Sequence, residues 1–177
     1  MNIRAITLAA LLFVSSFSAP SPAFAKTTPT LTPTPTGMVE QKVDYTLPYP
    51  GILPDHPLYF LKRLRDQILE RLIVDPIRKM EFYMLQTDKS VNTGLFLAAK
   101  QKGALAQESI TRARQYMGQA VSIAATLKKE GKDVPAYLVE RFIKAGAKYE
   151  EILNELQFMD LLEPFRALQS EVAKLKD

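Results

Sequence analysis

The sequence predicts an all-α fold: an antiparallel helical bundle of four to five helices with a proline-rich N-terminal strap. Three observations carry this. Two stretches space apolar residues alternately by four and three, the seam of packed helices. They are Ala106, Ile110, Ala113, Met117, Ala120, Ala124 and Leu127, then Leu138, Phe142, Ala145, Tyr149, Ile152, Leu156 and Met159. Ahead of them Pro48, Pro50, Pro54 and Pro57 fix φ near the polyproline value and remove four backbone donors, so the chain there runs extended over a surface rather than joining a sheet. No segment reads as a credible strand.

Residues 1–25 read as a signal peptide. Arg4 supplies the positive start, Ala5 to Ala19 is an apolar run short for a bilayer span, and Ala23-Phe24-Ala25 is a small-x-small cleavage site. The alternative is an uncleaved anchor. Residues 26–46 form a Thr/Pro-rich tether that cannot bury enough apolar surface to offset its ordering entropy, and so should be disordered and extended. Its threonines could carry O-linked sugars, but a plain spacer explains the composition.

The α-helical domain spans 47–177. Its strap holds Tyr49, Ile52, Leu53, Leu58 and Tyr59, which are apolar enough to dock in the grooves of the bundle. A first helix of about 57–74 follows, capped by Asp55 or His56, with Leu58, Leu61, Leu64, Ile68 and Leu72 as its apolar stripe. Asp75-Pro76 opens a second helix of about 76–102, with stripe Met80, Met84, Thr87, Val91, Leu95 and Ala98, stopped by Gly103. The third and fourth helices, about 104–130 and 135–160, carry the two seams. The short link Glu130 to Val134 makes them an antiparallel hairpin, with Ala113, Ala120 and Ala124 facing Phe142 and Tyr149. After Met159 the apolar series slips phase and resumes at Phe165, Leu168, Val172 and Leu175. Pro164 stands at the slip, which predicts a break or sharp kink there and a short fifth helix of about 164–176.

The stretch Ile52-Leu-Pro-Asp-His-Pro-Leu-Tyr-Phe-Leu-Lys-Arg-Leu64, followed by Asp75-Pro-Ile-Arg-Lys-Met-Glu81, resembles the bacterial extracytoplasmic domain of unknown function 5667. The likeness covers roughly Pro50 to Leu127. It is specific in the proline-leucine-tyrosine and leucine-lysine-arginine opening and looser at Leu85-Gln-Thr-Asp-Lys-Ser-Val91, which fits the family's charged repeat only in part. The resemblance implies a helical envelope domain and transfers no catalytic residues.

Composition narrows the chemistry. The chain has no cysteine and a single histidine, His56, so nucleophilic triads, Cys–His pairs and zinc sites lack their parts. An exported domain without disulfides must hold by packing alone, and there is no cysteine to carry a lipid anchor. His56, between Asp55 and Pro57, reads as part of a helix cap. Met80 and Met84, one turn apart, could bind Cu(I) but fall on the second helix's core stripe. Glu150, Glu151 and Glu155 read as a solvated face. No catalytic, cofactor-binding or metal site is expected, and no cofactor. Without the leader's Arg4, 22 basic face 19 acidic side chains, a net of about +3 that gives no case for nucleic acid.

The most basic region is Lys62, Arg63, Arg65, Arg71, Arg78 and Lys79, with aromatics Tyr59, Phe60, Phe82 and Tyr83 beside it to wedge the strap. Interleaved Asp66, Glu70, Asp75 and Glu81 could balance it as an ordinary surface. The sequence thus points to an exported, non-enzymatic binding or structural module of the cell envelope, partnered by another envelope protein or polymer. The alternative is peripheral contact with anionic membrane or wall polymer through 62–79. The exported protein should begin at Lys26; N-terminal sequencing checks this, and a retained Met1 would overturn it.

Overall fold

The computed structural model describes residues 43–175; the leader 1–25 and the tether from 26 to 42 lie outside the described residues. Among the described residues the fold is all-α, a bundle of five helices: α1 Tyr59–Leu72, α2 Pro76–Ala99, α3 Gly103–Lys129, α4 Ala136–Glu155 and α5 Met159–Ala173.

Both seams point inward, the first through Leu127 and the second through Ile152; Leu156 is half-buried, and Met159, which opens α5, is 61% exposed. Ile110, Ala113, Met117, Ala120 and Ala124 of α3 lie in one core with Leu138, Phe142, Tyr149 and Ile152 of α4. Met80, Met84 and Val91 of α2 and Phe165 of α5 complete it. The closest backbone neighbours differ from the expected α3–α4 hairpin: α2 packs on α3 and α4 on α5, with α3 also meeting α5 and α2 meeting α4. Phe142 and Tyr149 of α4 are buried in the same core as α3's alanines, and Phe165 packs edge-on against Tyr149 at 5.8 Å. Between α2 and α3, Gly94 permits the approach: a Cβ there would stand 2.5 Å from Ile110 Cδ1.

Helix ends follow two rules. Asp75 caps α2, its carboxylate accepting Arg78 N–H at 2.7 Å with Pro76 in the first turn. Three C-termini close by one motif: Lys102 N donates to Leu97 O at 2.8 Å, Lys132 N to Leu127 O at 2.9 Å and Phe158 N to Leu153 O at 3.0 Å. Each needs a left-handed residue just past the helix. Gly131 supplies one (φ 70°), but Gln101 (φ 59°) and Gln157 (φ 57°) supply the others.

This corrects two expectations. Gly103 does not stop α2; Gln101 does, and Gly103 opens α3. Nor does the chain break at Pro164, which lies inside α5; the phase slip is the turn at Gln157. Pro164 is the sixth residue of α5, where its missing N–H forgoes the bond to the Asp160 carbonyl.

A left-handed non-glycine costs roughly 1 kcal/mol or more. Gln101→Gly and Gln157→Gly should therefore each raise stability by about 0.5–1 kcal/mol, and Gly131→Ala should lower it comparably. Denaturant unfolding checks all three; an unchanged midpoint in both glutamine variants would contradict the assignment.

Candidate functional site

One buried carboxylate sits at the centre of the polar architecture. Asp88 of α2 is fully buried, with 1% of its side chain exposed. It accepts Tyr149 OH at 2.5 Å, Arg141 Nη2 at 2.8 Å and Tyr45 OH at 2.9 Å, while Arg141 Nε donates to the Tyr45 oxygen at 3.3 Å. The cluster joins α2, α4 and the N-terminal segment. Burial pushes the Tyr45 phenol up to about 12, against the pull of Arg141. Burial first, then the Asp88 charge, pushes Tyr149 well above its ordinary value. For Arg141 burial opposes the charged form, but its bonds to Tyr45 and Asp88 outweigh it and raise its pKa.

From Tyr45 the N-terminal segment runs along α2. Val43 N donates to Glu151 Oε2 at 3.0 Å, Asn92 Nδ2 to Pro48 O at 2.9 Å, and Lys62 Nζ to Pro50 O at 2.8 Å. Asp55 pairs with Lys102 at 2.8 Å and Lys100 at 3.1 Å, bonds that pull its carboxyl down to about 2. Residues 43–46, placed in the tether by composition, thus bond to the bundle.

The apolar docking expected of this segment is met only in part: Leu53 and Tyr59 are half-buried, the other three are not. Tyr49 is 74% exposed, resting edge-on to Phe96, and Ile52 and Leu58 are exposed too. The segment is held by hydrogen bonds to its carbonyls, with Tyr45 and Leu47 packed on the core and Pro50 buried. Asp55 and His56 do not cap α1: Leu58 holds the N-cap position without a side-chain bond, and exposed His56 Nδ1 accepts Leu58 N at 3.1 Å.

Helix α1 is inverted relative to expectation. Leu61, Leu64, Ile68 and Leu72 are 48%, 53%, 49% and 70% exposed. Its polar side faces the bundle. Asp66 is buried, Glu70 Oε1 accepts Tyr83 OH at 2.7 Å, and Tyr59 OH accepts Arg112 Nη1. Beneath α1 lies a polar cavity of about 120 Å³, lined by Lys62, Asp66, Gln86, Ser90 and Tyr116 among others. Gln86 is 5% exposed, and its amide bonds no protein group among the described residues. A second, wider groove of about 650 Å³ lies between the α3–α4 link and Leu175, its Lys128, Lys132 and Glu140 already engaged by neighbours.

The six basic residues read from the sequence differ in their surroundings. Lys62 is turned inward onto the segment's carbonyls, where burial pulls its pKa down. Arg65 is 61% exposed and bonds its neighbour Asp66 at 2.7 Å. Arg63, Arg71 and Arg78 are exposed and Lys79 half-buried, and none of these four makes an ion pair among the described residues. Of the aromatics, Tyr83 stacks with Tyr116 at 6.2 Å and Phe82 packs on the core, while Phe60 is 62% exposed.

Met80 and Met84 are fully buried core residues. Glu151 pairs with Lys148 at 2.6 Å and Glu150 lies 3.6 Å from Arg166. The Asp88 cluster went unread, although its signal exists: Asp88 stands four residues after Met84 and three before Val91, on the buried stripe.

No family model, curated protein or solved structure matches the chain; what its surface can do rests on the geometry.

Removing one partner of a buried ion pair costs about 3–5 kcal/mol, so Asp88→Ala should lower stability by roughly that, and Tyr45→Phe by about 1 kcal/mol. Raised phenol pKa values contribute stability that is complete below about pH 10, the unfolded tyrosine value, and is lost as pH rises through the folded values. Tyrosinate absorbance and stability should therefore change together between pH 10 and about 12. Full ionisation by pH 10 with the fold intact would contradict it.

Proposed function

We propose that the chain is an exported, non-enzymatic binding module of the cell envelope, and that it binds through the outward face of α1. One observation carries the reading: the four-residue stripe Leu61, Leu64, Ile68 and Leu72 that the pattern marks for burial stands in solvent, backed by a polar underside. Single exposed apolar residues need no explanation, whereas a contiguous stripe on one helix face marks an interaction surface. Supporting the address are the signal-like leader, the Thr/Pro tether and the likeness of Pro50 to Leu127 to an extracytoplasmic helical domain. Supporting a binding role over a catalytic one is the single histidine, exposed in the turn before α1. Among the described residues no helix is long and apolar enough to cross a membrane.

A second reading, contact with anionic membrane or wall polymer, is favoured by Arg63, Arg71 and Arg78, which are exposed and outside any ion pair among the described residues.

The test is retention. Exported wild-type protein should fractionate with the envelope, and L64D/I68D, which alters only exposed positions and should leave the melting temperature within a few degrees, should be released. A folded double variant that stays bound would overturn the role of α1.

A further inference from the structure

Resting on the reading that α1's outward face binds, we infer that its partner is the surface of an anionic phospholipid bilayer, with α1 lying in the plane of the interface. The stripe from Leu61 to Leu72 covers eleven steps of helix, about 17 Å, along one side. Exposed Leu58 and Phe60 lengthen it at one end, and Val74, 88% exposed, at the other. Arg65 and Arg71 fall on opposite margins of the stripe, each within about a quarter-turn of its centre. No carboxylate is free on this face: Glu70 accepts Tyr83 underneath and Asp66 pairs with Arg65, so that Arg71 is the margin's arginine outside any ion pair among the described residues. An apolar centre flanked by the exposed guanidiniums of Arg71, unpaired among the described residues, and Arg65, paired with Asp66, and with no free acid, suits a helix that lies in a headgroup layer, burying its apolar side while arginine meets phosphate.

Charge decides among occupants. A second copy laid on this face would bring Arg71 side chains against an apolar surface with no free α1 carboxylate to pair them. A soluble polyanion would satisfy the arginines and leave the stripe in water. A bilayer answers both demands. Attachment is consistent with it: α1 is absent from the closely packed helix pairs and meets α2 and α3 through polar side chains, Glu70 on Tyr83 and Tyr59 on Arg112.

The chain contains no tryptophan, so a single reporter can be placed. L64W puts it in the stripe and Q119W on an exposed position of α3. Sedimentation is measured with vesicles of phosphatidylcholine alone and with added phosphatidylglycerol. Binding to the anionic vesicles should exceed that to neutral ones about tenfold or more and weaken as salt rises. L64W emission should shift to the blue on binding and Q119W emission should not. R65E/R71E should lose about tenfold in affinity and I68D should lose the blue-shifted complex, each with an unchanged far-ultraviolet spectrum.

Failure to sediment at low salt overturns the inference, as does binding without a blue shift in L64W, or equal affinity for soluble polyphosphate. A dimer in solution that I68D dissolves would overturn it in favour of a second copy. If vesicles fail while L64D/I68D still leaves the envelope, the partner is wrong but the binding face stands. If neither responds, the face itself is wrong.

Discussion

Much of this structure depends on the carboxylate of Asp88 being buried and fully partnered. An ionised group at that depth is tolerable only when paired and hydrogen-bonded. Its three partners come from two parts of the chain: Tyr45 ahead of the bundle, and Arg141 and Tyr149 on α4. Satisfying the charge therefore draws the N-terminal segment onto α2 and fixes α4 across it. Once Tyr45 is fixed, the following residues lie along α2, where Asn92, Lys62 and the Asp55 pairs hold them.

That chain of contacts explains the orientation of α1. Lys62 reaches the segment's carbonyls, Glu70 reaches Tyr83 and Tyr59 reaches Arg112 only if the polar side of the helix is turned to the bundle. Meanwhile the seams of α2 to α5 already form one core among themselves. Turning α1 over would bury Arg65 and Arg71 and release Lys62, Glu70 and Tyr59 from their partners. Burying an aliphatic side chain contributes about 1.5–3 kcal/mol, so α1 forgoes stabilisation from its stripe that an external surface can recover.

What was legible in the sequence was what depends on local chemistry. The seams of α3 and α4, the Asp75-Pro76 start of α2 and the all-α class follow from period and capping, and all are present. Less legible was anything decided by competition between distant residues. Periodicity gives α1 an apolar face but not its direction, because a stripe with period 3.6 fits a core and an interface equally. Pro164 reads as a breaker only if the turn has no better place, and Gln157 in a left-handed conformation provides one. Asp88 was visible as an acid on an apolar stripe, yet its tyrosine and arginine partners lie 43, 53 and 61 residues away. Of the candidate basic residues, spacing could not tell that Lys62 turns inward while Arg71 stays free of ion pairs.

The central claim is that the stripe of α1 faces water in the free protein. Because the chain lacks cysteine, thiol reactivity measures this directly. Single I68C and V91C variants can be treated with a small alkylating reagent under native conditions. The account predicts that the thiol at position 68 reacts within a few-fold of the unfolded chain, while the one at 91, in the core, is slowed by orders of magnitude. Comparable protection of both would mean that α1 buries its apolar side after all, and would contradict the account.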